Sequence, residues 1–300
     1  LVGSEMCIRD RYIGKYYIEK YANIRTNVHY ASEYRYQKNF FDKDTLVILI
    51  SQSGETADTL AAMKLANGHD IDTLSIVNRR DSSIARESKY VIYTPAGIEI
   101  AVATTKAYLA QVIILILLAI KDSNVEEEGI RELKLLPNII TKYINDFNYK
   151  EIAKLVSDKK NVFYLGRGID YYLALEGSLK LKEISYIHSE AFPAGELKHG
   201  SISLIDEDFG VIAIVLDKSI SDKTISNLKE VSSRGAEVIA ITNIDKDDFS
   251  THKILLDNHS EFLTPLTAII PMQLLAYNTA LIKGYDIDKP RNLAKSVTVE

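Results

Sequence analysis

Ser51, Ser53 and Thr56 fall inside one short run, Ser51-Gln52-Ser53-Gly54-Glu55-Thr56, behind the apolar stretch Leu46 to Ile50 and ahead of a helical pattern. Three hydroxyls and the first free N–H groups of a helix would converge there, and Gly54 removes the side chain where an anion must approach. The turn suits a phosphate. It holds no lysine, so it is not a nucleotide loop of the GxxxxGK[ST] kind. The same residues would also serve as a capped turn with no ligand, and spacing alone does not choose between the two.

A second group lies in the polar run Leu173 to Gly200, where Glu176, Lys180 and Glu183 fall at i, i+4 and i+7 on a helix and share one face. An acid beside a lysine in a closed cleft can shuttle a proton; on a solvated face the same three would be ordinary ion pairs. His188, Glu190 and His199 follow. An HxE spacing resembles a metal site, but no cysteine or further histidine stands at ligand spacing, so no metal is expected. Pro193, Gly195 and Gly200 bracket a loop that would position His199 instead. Lys295 lies in a C-terminal stretch, Asp288 to Glu300, that reads as an extended tail. An amine there is either solvated or, if the tail folds over a site, available to a carbonyl.

The elements around these residues alternate. Leu46 to Ile50, Thr73 to Val77 and Tyr90 to Tyr93 read as strands, and helices are predicted from Ile13 to Tyr21, up to about Asn67, and from about Val102 to Lys121. A short strand is expected in Val28 to Tyr36, ahead of a helix start at Ala31-Ser32-Glu33. After a charged connecting segment, Asp122 to Lys150, strands are predicted at Asn161 to Leu165, Val211 to Val215 and Val238 to Thr242, with a helix through Glu183. This spacing indicates parallel sheets with helices on both faces.

The second half repeats the first. LVILI at 46 overlays VIAIV at 211 and SIVN overlays AITN at an offset of 165, while Glu99, Thr105 and Gln111 match Glu261, Thr267 and Gln273 at 162. The chain is therefore read as two tandem doubly wound α/β domains related by internal duplication. In this overlay Ser51, Ser53 and Thr56 face Leu216, Lys218 and Ser221. One copy keeps the anion turn, which implies a single ligand site at strand carboxyl ends, near the seam between the copies. The expected divisions are an atypical leader at 1–12, a first domain at 13–135, a linker at 136–155, a second domain at 156–287 and a tail at 288–300.

The bulk properties fit that reading. In 300 residues, 46% are hydrophobic and 26% charged, enough for full cores. A net charge of −5 without a long basic run argues against a nucleic-acid surface. Cys7 is the only cysteine, so no disulfide framework or cysteine metal cluster is expected, which suits a reducing cytoplasm. The apolar stretch Val112 to Ile120 is too short to span a bilayer, and no membrane association is expected.

Three motifs together, SQSGETADTL, ALEGSLKLKEISYIHSEAFPAGELKHG and DKPRNLAKSVTVE, resemble the isomerase part of the glutamine–fructose-6-phosphate aminotransferases, the glucosamine-6-phosphate synthases. The resemblance covers about residues 15 to 300 and implies two flavodoxin-like sugar isomerase (SIS) domains, cytoplasmic and without a cofactor. It implies that Ser51, Gln52, Ser53 and Thr56 hold the phosphate of fructose 6-phosphate, with Val102, Ala103 and Thr104 lining the sugar. Lys295 would form an imine at C2, ammonia would replace it, and Glu183 assisted by Lys180 would move a proton between C1 and C2. His199 would help open the sugar ring and, in the family, comes from the partner subunit, implying a homodimer. SIS folds also serve in sugar-phosphate sensors without catalysis and in deglycases.

Two departures stand out. The family opens this domain with a strand and a Cys-Gly-Thr-Ser turn; here LVGSEMCIRDR holds that place, so the first copy is expected to lack a strand and part of its phosphate cradle. The leader reads as foreign or misassembled, which sequencing the encoding DNA across the junction would check. The family's glutaminase domain, with its chain-terminal cysteine, has no counterpart in this sequence. Use of glutamine is expected to need a separate ammonia source.

Overall fold

The computed structural model describes residues 1–4, 8–246 and 248–298; Cys7 and part of the leader lie outside them. The chain divides into two compact units, Leu1–Glu127 with Arg291–Glu300, and Glu128–Pro290.

The first unit runs β1 (Val2–Gly3), α1 (Ile8–Tyr17), β2 (His29–Tyr30), α2 (Ala31–Tyr34), β3 (Leu46–Ser51), α3 (Ala57–Gly68), β4 (Asp72–Val77), α4 (Ser83–Glu87), β5 (Tyr90–Tyr93) and α5 (Lys106–Ile120). A π-helical turn, Ile18–Ala22, continues α1. The five strands are parallel in the order β2-β1-β3-β4-β5. Where a missing strand is expected, the leader supplies Val2–Gly3, hydrogen-bonded between β2 and β3. That expectation is corrected: the strand is present, but two residues long against six in β3. Asp10 and Arg11 of the leader are wholly buried, 3.6 Å apart, and burial pushes the Asp10 carboxyl up to about 6.

One core of this unit joins Val2, Val47, Leu49 and Val77 of the sheet to Tyr34 of α2, Ala62, Met63 and Ala66 of α3, and Ile84 of α4. Each fully buried Leu, Ile or Met contributes about 1.5–3 kcal/mol. The result is a firm floor under the turn that leaves β3.

The second unit contains α7 (Leu136–Asp146), α8 (Tyr149–Ser157), β6 (Asn161–Gly166), α9 (Ile169–Ser185), β7 (His188–Pro193), β8 (Gly210–Val215), α10 (Ser221–Ser232), β9 (Glu237–Thr242), β10 (His252–Leu255) and α11 (Thr264–Ile282). The division between units falls inside α6 (Glu126–Leu133). The stretch expected as a linker is thus largely helical, and α7 and α8 pack on α11. Its sheet is also parallel, in the order β10-β9-β8-β6-β7. Read from its other edge, that is the topology of the first sheet. All six residues of β8 are buried, the pattern of a central parallel strand.

α11 is long and apolar enough to cross a membrane by length and composition, yet most of its residues are buried inside the protein. It is a core helix of this unit. α9 packs against it through Gly177, where an added Cβ would stand 2.5 Å from Met272 Sδ and 2.7 Å from Tyr164 Cε1.

The strand registers revise the overlay of the two copies. Leu46 pairs with Asp72 and Gly210 with Glu237, so the second copy carries one extra residue between α10 and β9. Both turns are then five residues long, 52–56 and 216–220. Ser51, Ser53 and Thr56 correspond to Val215, Asp217 and Ile220, not to Leu216, Lys218 and Ser221.

Candidate active site

The hydroxyl turn leaves β3 at its carboxyl end and enters α3 with Thr56 as the N-cap residue. Ser51 Oγ accepts the Gly54 N–H at 3.0 Å, and Ser53 Oγ accepts the Glu55 N–H at 3.2 Å. Each serine oxygen is thereby fixed by a backbone N–H. Ser51 Oγ also lies 3.4 Å from Thr56 Oγ1. Gly54 has φ +66°, and a Cβ there would meet Ser82 Oγ at 2.1 Å, so only glycine fits. Glu55 turns away and accepts the Ser83 N–H at 2.9 Å, while Gly54 O accepts the Ile84 N–H at 3.1 Å. The Ser83 N–H holds the Glu55 carboxyl below the usual range.

The C-terminal tail after Pro290 belongs to the first unit, and its residues 296 and 297 meet this turn. Ser296 Oγ is 3.0 Å from Ser53 Oγ, and Val297 O accepts the Ala57 N–H at 3.2 Å. One residue earlier, Lys295 Nζ donates to Ala101 O at 2.6 Å and stands 3.4 Å from Glu99 Oε2. Glu99 caps the start of α5 by accepting the Thr105 N–H at 2.8 Å. Val102, Ala103 and Thr104 form the turn between, with Ala103 and Thr104 buried. The turn hydroxyls, the Lys295 amine and the 99–104 segment are therefore gathered in one unit.

In the second unit Glu176, Lys180 and Glu183 lie on one face of α9, and that face is buried, not solvated. Their exposures are 0%, 2% and 6%. Lys180 Nζ is 2.6 Å from Glu183 Oε2 and 3.5 Å from Glu176 Oε1. Burying two carboxylates is tolerable because the ammonium sits between them. Such a group can accept or release a proton away from bulk water.

His199 ends a short 3-10 turn, Glu196–His199, and is exposed; among the described residues no hydrogen bond or ion pair links it to the α9 group. His188 is exposed as well, 3.6 Å from Glu190 and 3.1 Å from Asn161 Oδ1. Sequence reasoning did not single out Ser296, Glu99 as the neighbour of Lys295, or Glu55 as a strap to α4. Only Glu99 had left a signal, as one of the residues matched between the copies.

The duplicated five-stranded parallel sheet, with a hydroxyl turn at the carboxyl end of β3, is that of a sugar isomerase type of unit. The chain belongs to the SIS domain family, which matches residues 13–121 and 155–283. More particularly, it is 48% identical over 302 residues to the glutamine–fructose-6-phosphate aminotransferase [isomerizing] of Clostridium tetani, across 96% of this chain and 49% of that one. The enzyme of the same name from Neisseria meningitidis serogroup B is 47% identical, across 95% and 49%. This chain spans about half the length of these relatives. The solved C-terminal domain of glucosamine-fructose-6-phosphate aminotransferase from Francisella tularensis superposes with a TM-score of 0.91 at 38% identity, covering 96% of this chain and 85% of that domain. A glucosamine-6-phosphate deaminase from Thermotoga maritima, 24% identical with a TM-score of 0.81 over 99% of this chain and 89% of that one, shares the fold.

Proposed function

We propose that the chain is the isomerizing half of a glucosamine-6-phosphate synthase, converting fructose 6-phosphate and ammonia to glucosamine 6-phosphate. The observation that carries this reading is the tail: Lys295 and Ser296 are adjacent, one placing an amine beside Glu99 and Ala101, the other bonded to the anion turn. The Ser51, Ser53 and Thr56 hydroxyls and the backbone at Gln52 hold the phosphate, and Val102 to Thr104 line the sugar. His199, exposed and able to serve another copy of the chain, assists ring opening in a homodimer.

The open ketose presents its C2 carbonyl to Lys295. The neutral amine adds, water leaves, and an imine forms at C2, with the Glu99 carboxylate 3.4 Å away able to take the proton the amine gives up. Ammonia, supplied by a glutaminase, displaces the lysine. Glu183 then removes a proton from C1, giving an enolamine, and a proton is returned at C2 while the C1 hydroxyl becomes the aldehyde. Lys180 Nζ donates to Glu183 Oε2 at 2.6 Å, which fixes the direction in which that carboxyl faces. No metal or organic cofactor enters these steps.

The test is a product assay with fructose 6-phosphate alone, with glutamine and with ammonium, beside Lys295→Ala. Glucosamine 6-phosphate with ammonium only, and none from the variant, is the expected result. A folded chain that binds the sugar phosphate but forms no product would make it a sensor.

A further inference from the structure

The second copy retains the backbone of an anion turn but not its hydroxyls. Residues 216–220 join β8 to α10 over the same five positions that 52–56 span between β3 and α3. In the first copy the N–H groups of Gln52 and Ser53 have no backbone acceptor among the described residues. At the two corresponding places in the second copy, the Leu216 and Asp217 N–H groups both donate to one atom, Asp170 Oδ2, at 2.9 and 3.1 Å. Asp170 comes from the first turn of α9, is 1% exposed, and its Oδ1 has no hydrogen-bond partner.

From this we infer that Asp170 is the resident acceptor of the second turn, an internal carboxyl occupying the place that a ligand anion takes in the first, so that each chain has one open anion turn and one closed. A buried acid with one oxygen spanning two successive backbone N–H groups reproduces what a bound oxyanion offers such a turn. No second carboxyl is supplied to the first turn among the described residues, which leaves that turn free for an external ligand. The inference rests on the proposed phosphate role of Ser51 to Thr56 only for the comparison between copies. The contacts of Asp170 stand by themselves.

The test is chemical rescue in the full chain at pH 7. Asp170→Ala deletes a group the size of formate, and Asp170→Asn keeps an oxygen acceptor in place. The Ala variant should lose about 5 °C in unfolding midpoint, because one buried and one part-buried donor lose their acceptor. Formate should restore at least half of that loss, or restore folding if the variant is unfolded in chloride; sodium chloride at equal ionic strength should do neither. Asp170→Asn should stay close to the parent and show no formate response. An Ala variant that responds alike to formate and chloride, folded or not, would overturn the inference, as would one as stable as the parent. Because these readouts concern the second turn, they are independent of whether fructose 6-phosphate binds the first.

Discussion

Glu183 and Lys180 are three residues apart on α9, and the 2.6 Å between carboxylate and ammonium is closed in a face from which water is almost absent. A base in that setting keeps a fixed orientation and a partner that compensates its charge, two properties a solvated glutamate lacks. Glu183→Gln keeps shape and burial while removing the proton acceptor. It should lower turnover roughly 10²- to 10⁴-fold with little change in fructose 6-phosphate affinity, as steady-state kinetics beside calorimetric binding would show. Equal losses in affinity and turnover would count against a base. At this scale the sequence was partly legible. The i, i+4, i+7 spacing exposed the Glu176, Lys180, Glu183 face, but not whether it was buried. Ser296 could not be read, because a serine in an extended tail carries no periodic signal; only the fold brings it to Ser53.

The element that keeps the hydroxyl turn at 52–56 in shape is α4, a helix of five residues. It meets the turn through Ser83 N–H to Glu55, Ile84 N–H to Gly54 O, and Ser82 packed where a Gly54 side chain would be. Glu55→Ala should therefore raise KM for fructose 6-phosphate roughly tenfold at nearly constant kcat, and Glu55→Gln, which still accepts the Ser83 N–H, should recover most of it. Identical KM values for the two variants would remove the strap from the account. Strands β3, β4, β5, β6, β8 and β9 were readable from their β-branched runs. β7 was not, since His188–Pro193 is a half-exposed edge strand with a terminal proline and reads as loop. The one-residue difference between the copies was hidden too, because a gap-free overlay of two apolar strands fits nearly as well one position away.

For the molecule as a whole, stability should carry the signature of its buried acids. Burial pushes Asp170 up to about 7, against the pull of the Leu216 and Asp217 N–H groups. Its folded value lies above the ordinary one of 3.8, so its contribution is fully present below about pH 4 and is lost as pH rises through about 7. Between about pH 4 and 7 the parent should lose stability relative to Asp170→Asn, at up to about 1.4 kcal/mol per pH unit, in denaturant melts. Parallel curves would contradict the burial of an ionisable group there. The duplication itself was legible from sequence, because the strand runs recur at nearly fixed offsets, as do Glu99, Thr105 and Gln111, which lead into and enter α5, and Glu261, Thr267 and Gln273 around the start of α11. The division of the tail, with Arg291–Glu300 joining the first unit, was not, since it depends on contacts far apart in the chain.

A covalent imine between Lys295 and the sugar proposed to sit at the Ser51 to Thr56 turn would be trapped by borohydride. The chain would be incubated with fructose 6-phosphate, reduced, digested and mapped by mass spectrometry, beside Lys295→Arg and a Ser53→Ala variant. One reduced sugar-phosphate adduct is expected, on Lys295, absent from the first variant and diminished in the second. Saturating binding of fructose 6-phosphate with Lys295 unmodified would contradict it.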